Sequence, residues 1–270
     1  MSRLVLISNR VSIDRSAKNK GSEGGLAVAL NAALRRLGGL WFGWSGEVSD
    51  DSSMNMHTAT ADNVTYATVD LQQADYDEYY FGYANRTLWP LVHYRLDLVD
   101  FHRRYSAGYF RVNSLLCSQL LPLLQPDDII WVHDFHLIPM GGQLRQAGCG
   151  QQIGFFLHTP WPAVEIFRAL PQHDVIVRAL FAYDLVGFQT ERDLGAFVSY
   201  ITHEIGGRVD PDGTAHAFGA TTKIGAFPIG VDTENVAQYS EVEGKSRMTR
   251  RLMDSLGGRD MIIGVDRLDY

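Results

Sequence analysis

The sequence predicts an α/β protein built on a doubly wound parallel sheet, and three observations carry that prediction. Strand-length runs such as Leu4-Val5-Leu6-Ile7 and Ile153-Gly154-Phe155-Phe156-Leu157 are apolar throughout instead of alternating, as strands covered on both faces must be. They alternate with longer amphipathic stretches, and repeated βα units of that order give a parallel sheet with helices on both faces. The chain has 270 residues, 46% hydrophobic and 20% charged, which is enough apolar side chain to bury a full core.

In chain order, the first strand is expected over 4–8, followed by a polar loop to Gly25. Leu26, Leu30, Leu34 and Leu37 then form a helical stripe that Gly38-Gly39 stops. A strand over 64–69 precedes a long helix whose buried face is Val112, Leu116, Leu120 and Leu123, ending near Gln125-Pro126. The second half is more regular. Strands are expected over 128–132, 153–157, 185–188, 223–229 and 261–265, with helices over 136–147 and 191–205 and two more between 162 and 185. Residues 238–246 are polar and read as a linker.

Composition narrows the function classes. Twenty-four basic against thirty-one acidic residues leave a net charge of −7, which disfavours nucleic acid and anionic membranes as partners. No apolar run approaches membrane-spanning length, and the short run after Met-Ser-Arg is not a signal-peptide core. Cys117 and Cys149 have neither CxxC nor metal-ligand spacing and read as reduced thiols of a cytoplasmic protein. A homo-oligomer is compatible with this composition, which carries no signal of stoichiometry.

Ligands of open α/β sheets bind at the carboxyl ends of the strands. Those ends carry Asn9-Arg10, His133-Asp134, His158-Thr159, Gln189-Thr190 and Pro228-Ile229-Gly230, polar groups directly after runs with almost none. Arg10 can grip a phosphate with two parallel hydrogen bonds or sit in a surface ion pair. Gly24-Gly25 before a helix is either a turn or a place where backbone N–H groups approach an anion. Asp134 either accepts hydrogen bonds from sugar hydroxyls or caps the next helix. His133 and Asp134 point to opposite faces of a strand, so no metal site is expected there. Tyr76, Tyr79, Tyr80 and Trp89 read as core or as aromatic faces for sugar rings. No Gly-x-Ser-x-Gly elbow occurs, and nothing pairs two carboxylates as a glycosidase requires. From residues alone, the expectation is a protein that binds a phosphorylated, hydroxyl-rich ligand.

Several strings, in order along essentially the whole chain, resemble the trehalose-6-phosphate synthase family. They are Ser8-Asn9-Arg10-Val11, Gly24-Gly25-Leu26-Ala27, Trp41-Phe42-Gly43-Trp44-Ser45-Gly46, Asp77-Glu78-Tyr79-Tyr80, Leu88-Trp89-Pro90 and His93-Tyr94-Arg95. The match continues through Trp131-Val132-His133-Asp134-Phe135-His136, Gly154-Phe155-Phe156-Leu157-His158 and Gly187-Phe188-Gln189-Thr190 to Val265-Asp266-Arg267-Leu268-Asp269-Tyr270. The resemblance implies a GT-B enzyme of two facing Rossmann-like domains. Such enzymes transfer glucose with retention from UDP-glucose to glucose 6-phosphate, giving α,α-trehalose 6-phosphate and UDP.

Residue by residue, the resemblance implies that Arg10 and Tyr80 hold the acceptor phosphate, Trp89 lines its pocket and Asp134 meets sugar hydroxyls. Gly24 and Gly25 would approach the donor's diphosphate, His158 would contact the transferring glucose, and Arg267 would stabilise the departing diphosphate. A fixed guanidinium at that point lowers the barrier without proton transfer. No cofactor and no metal are implied. Two departures stand out. Trp161 replaces the phenylalanine of the family's His-x-Pro-Phe-Pro, and the family continues past the match to Tyr270 with most of a second domain. Residues 1–240 are therefore expected to be the acceptor-binding domain and 241–270 a linker and the opening strand of a truncated nucleotide-sugar domain, inactive alone. The competing expectations are a synthase using another phosphorylated acceptor, such as glucosylglycerol-phosphate synthase, or a non-catalytic sugar-phosphate-binding module.

Overall fold

The computed structural model describes residues 2–11, 34, 37–50, 56–61, 63–230 and 233–264. Its centre is a ten-stranded sheet: β1 (Leu4–Arg10), β2 (Gly39–Val48), β3 (Met56–Ala61), β4 (Val64–Leu71), β5 (Ile129–His133), β6 (Gln152–Leu157), β7 (Leu185–Phe188), β8 (Arg208–Val209), β9 (Thr214–Ala217) and β10 (Ala220–Ala226). The strand order is β3-β4-β2-β1-β5-β6-β7-β10-β9-β8. Every pair from β4 to β10 is parallel, while β3, β9 and β8 add antiparallel margins. This is the predicted mostly parallel α/β sheet. Val5 and Ile7 of β1 enter one apolar layer and Leu6 the other, which is why β1 shows no polar alternation.

Two compact units, Met1–Pro228 and Ile229–Tyr270, divide the chain. In the first, a helical run over 73–92 follows β4, with Tyr76–Leu88 wound as a π-helix. The 18-residue helix Arg103–Leu120 packs beside it, placing Tyr105, Tyr109, Val112 and Leu116 in the core. Gly82 makes that approach possible, since a Cβ there would lie 2.4 Å from the Tyr105 ring. Among its described residues the second unit contains helices Thr233–Glu243 and Arg247–Leu256. Ser246 caps the latter by accepting from the Thr249 N–H, and Gly257 closes it in the left-handed conformation.

Some expectations change. The segment expected as a linker, 238–246, is helical through Glu243, because its Val236-x-x-Tyr239-x-x-Val242 spacing is helical even though those side chains are exposed. The strand expected over 261–265 does not form over 261–264: a strand needs a neighbour for its backbone groups, no described strand pairs with it, and Ile262 is fully exposed. The last parallel strand starts earlier, at Ala220, where β9 pairs with it, and ends before Pro228, which lacks an N–H to donate. The helix expected over 136–147 is interrupted. A 3-10 turn, Phe135–Leu137, precedes helix Met140–Gln146, for which Pro139 is the N-cap. The helical stripe of 26–37 lies outside the described residues except for Leu34 and Leu37.

The base of β5 is anchored by Asp128, whose side chain is 1% exposed. Its carboxylate accepts from Arg3 Nε (2.9 Å), Arg3 Nη2 (2.7 Å) and the Gln125 N–H (2.7 Å). Removing it strands a part-buried guanidinium and a backbone donor together. Asp128→Ala should lower the unfolding free energy by about 2 kcal/mol, read as a shift of the urea midpoint without a change in m-value.

Candidate functional site

The sheet order creates a crevice before any side chain is considered. From β1 the chain moves outward through β2 to β4, then returns to the other side of β1 as β5 and proceeds through β6 and β7. The connections leaving β1 and β5 therefore run in opposite directions, opening a crevice at the carboxyl ends of these two strands. Asn9-Arg10 close β1, and His133-Asp134 stand at the end of β5.

On the β1 side, Arg10 is exposed and pairs in register with Trp44 of β2, after a bulge beyond Ser8. Its guanidinium lies over Gly46: a Cβ there would meet Arg10 Nε at 2.5 Å and Nη2 at 2.7 Å. Gly46 also has φ of +93°, so no other residue fits easily. Among the described residues Arg10 has no carboxylate partner, so the surface ion pair is not formed there. The Trp44 ring lies 5.1 Å from Tyr80, which stacks on His136 at 5.9 Å with 17° between planes. The neighbouring Tyr79 donates to Asn9 Oδ1 at 2.8 Å, tying the π-helical run to the end of β1. Trp44 thus links the end of β1 to Tyr80, its backbone paired with Arg10 and its ring against Tyr80. Trp89, further along the same run, stacks on His93 at 4.0 Å.

On the β5 side, Asp134 has φ of +73° and ψ of 165°, a conformation costly for a residue with a Cβ. It is held there by its N–H donating to Phe156 O (2.8 Å) and its carbonyl accepting from Leu137 N (3.0 Å). This twist turns the carboxylate toward the end of β6, where Oδ1 accepts from the His158 N–H at 3.2 Å. The side chain makes no cap to the following turn. Burial pushes the Asp134 carboxyl up to about 6, against the pull of the Phe135, His158 and Thr159 N–H groups, which favour the ionised form. Three histidines beside it are held neutral. Burial lowers His136 to about 3 and His158 to about 4, and drives His133, which also faces His158, well below the usual histidine range. His133 Nδ1 and His158 Nε2 are hydrogen-bonded at 2.9 Å.

Buried polar atoms without partners accumulate at this same edge. They are His133 Nε2, both ring nitrogens of His136, Thr159 Oγ1, Trp161 Nε1 and Gln189 Oε1, all at or just after the ends of β5, β6 and β7. Buried polar atoms in folded proteins are satisfied as a rule, so a row of exceptions marks a surface built for something polar. Thr190, by contrast, is used structurally: its Oγ1 accepts from the Asp193 N–H and caps helix Glu191–Ser199.

Of the residues singled out from sequence, the structure brings Arg10, Tyr80, Asp134 and His158 to the crevice. Gly24, Gly25 and Arg267 lie outside the described residues. The sequence singles out neither Trp44 nor Gly46, and His136 only within the His133-Asp134-Phe135-His136 string, although each lies inside a string that carries the resemblance. Their positions depend on the β1–β2 register and on the winding of the π-helical run, neither of which is written in spacing.

Residues 2–270 match the family model of glycosyltransferase family 20. The chain belongs to this family. Trehalose-6-phosphate synthase of Sinorhizobium fredii is 46% identical over 275 residues, covering 100% of this chain and 58% of that protein. The crystal structure of the UDP-forming α,α-trehalose-phosphate synthase of Burkholderia xenovorans in complex with glucose 6-phosphate superposes with a TM-score of 0.92 at 45% identity, covering 100% of this chain and 59% of that one. The Escherichia coli protein bound with UDP-2-fluoro glucose gives 0.84 at 41% identity, covering 95% of this chain and 55% of that one. The chain spans a little over half the length of these relatives.

The buried histidines give this member of the family a pH signature. His136 binds no proton in the fold until far below its ordinary 6.5, so the unfolded chain binds more protons between pH 6.5 and about 3 and stability falls on acidification. Asp134 acts oppositely below about 6, but one carboxyl does not offset three neutral histidines. Urea melts should weaken from pH 6.5 downward, and His136→Phe should flatten the slope by up to about 1.4 kcal/mol per pH unit.

Proposed function

We propose that this chain is the acceptor-side portion of a retaining glucosyltransferase that moves glucose from UDP-glucose to glucose 6-phosphate. The observation that carries the reading is the joining of Arg10, by way of Trp44 and Tyr80, to Asp134 and His158 across the β1–β5 switch point. A guanidinium with no carboxylate partner among the described residues at one end suits a phosphate, and a carboxylate at the other suits sugar hydroxyls. The aromatic rings between them, Trp44 and Tyr80, suit the ring faces of a hexose, and the family resemblance adds Trp89 as a lining residue. The glucose 6-phosphate complex of the Burkholderia xenovorans relative supports the same assignment.

In this reading residues 1–240, which extend past the compact unit Met1–Pro228, belong to the acceptor domain, and 241–270 are a linker and the start of the nucleotide-sugar domain. His158 faces the transferring glucose, Gly24 and Gly25 approach the donor diphosphate, and Arg267 stabilises that diphosphate as it departs. The acceptor hydroxyl attacks from the leaving-group face, with the phosphate assisting deprotonation, so no protein nucleophile is needed. The neutral imidazole of His158 fits a hydrogen-bonding role better than a proton-donating one. The chain by itself, lacking most donor contacts, should not turn over.

Isothermal titration of the chain with glucose 6-phosphate should show one saturable site. Arg10→Ala should weaken it about 10- to 100-fold, the worth of a charge-assisted phosphate contact, and leave the weaker binding of unphosphorylated glucose unchanged. Gly46→Val, which drives a side chain into the Arg10 guanidinium, should reproduce that loss. A preference for glycerol 3-phosphate over glucose 6-phosphate would move the chain to the glucosylglycerol-phosphate reading. Release of UDP from UDP-glucose by this chain alone, dependent on glucose 6-phosphate and abolished in Arg10→Ala, would overturn its inactivity.

A further inference from the structure

His133 lies directly behind His158. It is fully buried at the end of β5, its ring 4.4 Å from Trp131 and 5.2 Å from His158, and its Nδ1 is 2.9 Å from His158 Nε2. Its other nitrogen, Nε2, is buried and has no partner. His158 is oriented differently. Among the described residues its Nδ1 has no hydrogen-bond partner, and it is not one of the buried unpartnered atoms; since His158 is only partly buried, Nδ1 is the nitrogen left to face the crevice.

A neutral imidazole carries one donor and one acceptor, so the 2.9 Å contact has only two arrangements. In the first, His158 Nε2–H donates to His133 Nδ1. His133 must then carry its proton on Nε2, burying an N–H with nothing to receive it. In the second, His133 Nδ1–H donates to His158 Nε2. The unpartnered His133 Nε2 is then a bare lone pair. Orphaned buried N–H groups are rarer in folded proteins than under-satisfied acceptors, so the second arrangement is favoured. Its consequence passes to the site: with Nε2 occupied as acceptor, His158 carries its own proton on Nδ1.

We infer that His133 is a positioning residue that holds His158 in the Nδ1–H tautomer, so that a hydrogen-bond donor faces the crevice. The inference rests on the proposed function only for the identity of what His158 meets. There, the facing atom of the transferring sugar must be an acceptor, a hydroxyl or ring oxygen. The neutrality of both rings, imposed by burial, keeps the arrangement intact across the neutral pH range. This is the outer-layer logic by which the partner of one imidazole nitrogen sets the function of the other.

The test reads the tautomers directly, by long-range proton–nitrogen correlation of ¹⁵N-histidine in this chain, with His158→Gln assigning the His158 signals. Both His133 and His158 should show the Nδ1–H pattern. In His133→Leu, His158 should lose it and revert toward the Nε2–H form that exposed histidines prefer. His133→Asn, whose side-chain amide places a donor near the former Nδ1, should restore the Nδ1–H pattern. A native His158 protonated on Nε2 would overturn the inference, even if no variant folded. So would a His158 tautomer unchanged in a folded His133→Leu. Neither outcome depends on glucose 6-phosphate binding, so failure of the substrate assignment would register separately, in the titration.

Discussion

Burial of a parallel sheet on both faces is the constraint from which the rest of this molecule follows. Once β1, β5, β6 and β7 are covered by apolar layers, polar chemistry is confined to the strand ends. Reversal of strand order between β1 and β5 then selects one location among those ends. Asn9-Arg10, His133-Asp134 and His158 stand there because polar side chains begin where β1, β5 and β6 leave the apolar layers. The Tyr79–Asn9 hydrogen bond adds the π-helical run as a third wall, bringing Tyr80 to the same crevice.

Local strain and local desolvation are coupled at this edge. The left-handed backbone of Asp134 reverses the chain sharply after β5, so that His133 stays in the packed layer while the next carboxylate turns to the β6 end. The conformation would relax without the flanking backbone hydrogen bonds to Phe156 and Leu137. The same packing that enforces the turn strips water from His133, His136 and His158 and holds all three neutral. The crevice thus contrasts a fixed cation at Arg10 with uncharged imidazoles. In the proposed function, that contrast suits a phosphate on the β1 side and neutral hydroxyls on the β6 side.

Much of this was legible in the sequence, for a physical reason. Continuous apolar runs such as 4–8 and 185–188 have no alternative to a doubly covered strand, and the strand-end rule then locates Arg10, Asp134 and His158. The losses are equally specific. β2 went unread because Trp41-Phe42-Gly43-Trp44-Ser45-Gly46 mixes bulky rings with glycines. Its glycines serve close approach: a Cβ on Gly43 would lie 2.1 Å from Ser8 O. β3, β8 and β9 are short margin strands made mostly of threonine, alanine and histidine, with Met56, Arg208 and Val209, paired only by register with a neighbour. The helix through 238–243 has the right period but exposes its apolar side chains, so its polar composition reads as linker.

The site's finer order was out of reach because it depends on pairs far apart in sequence. That His136 stacks on Tyr80, or that Gly46 makes room for Arg10, follows from register and winding, which no string encodes. The His133–His158 contact belongs to the same class. Separately, each histidine reads as a strand-end residue; one buried behind the other, they share a proton count that only one arrangement satisfies at low cost. The chemistry offered to a ligand at His158 is therefore decided a layer deeper, by which nitrogen of His133 can bear to be alone.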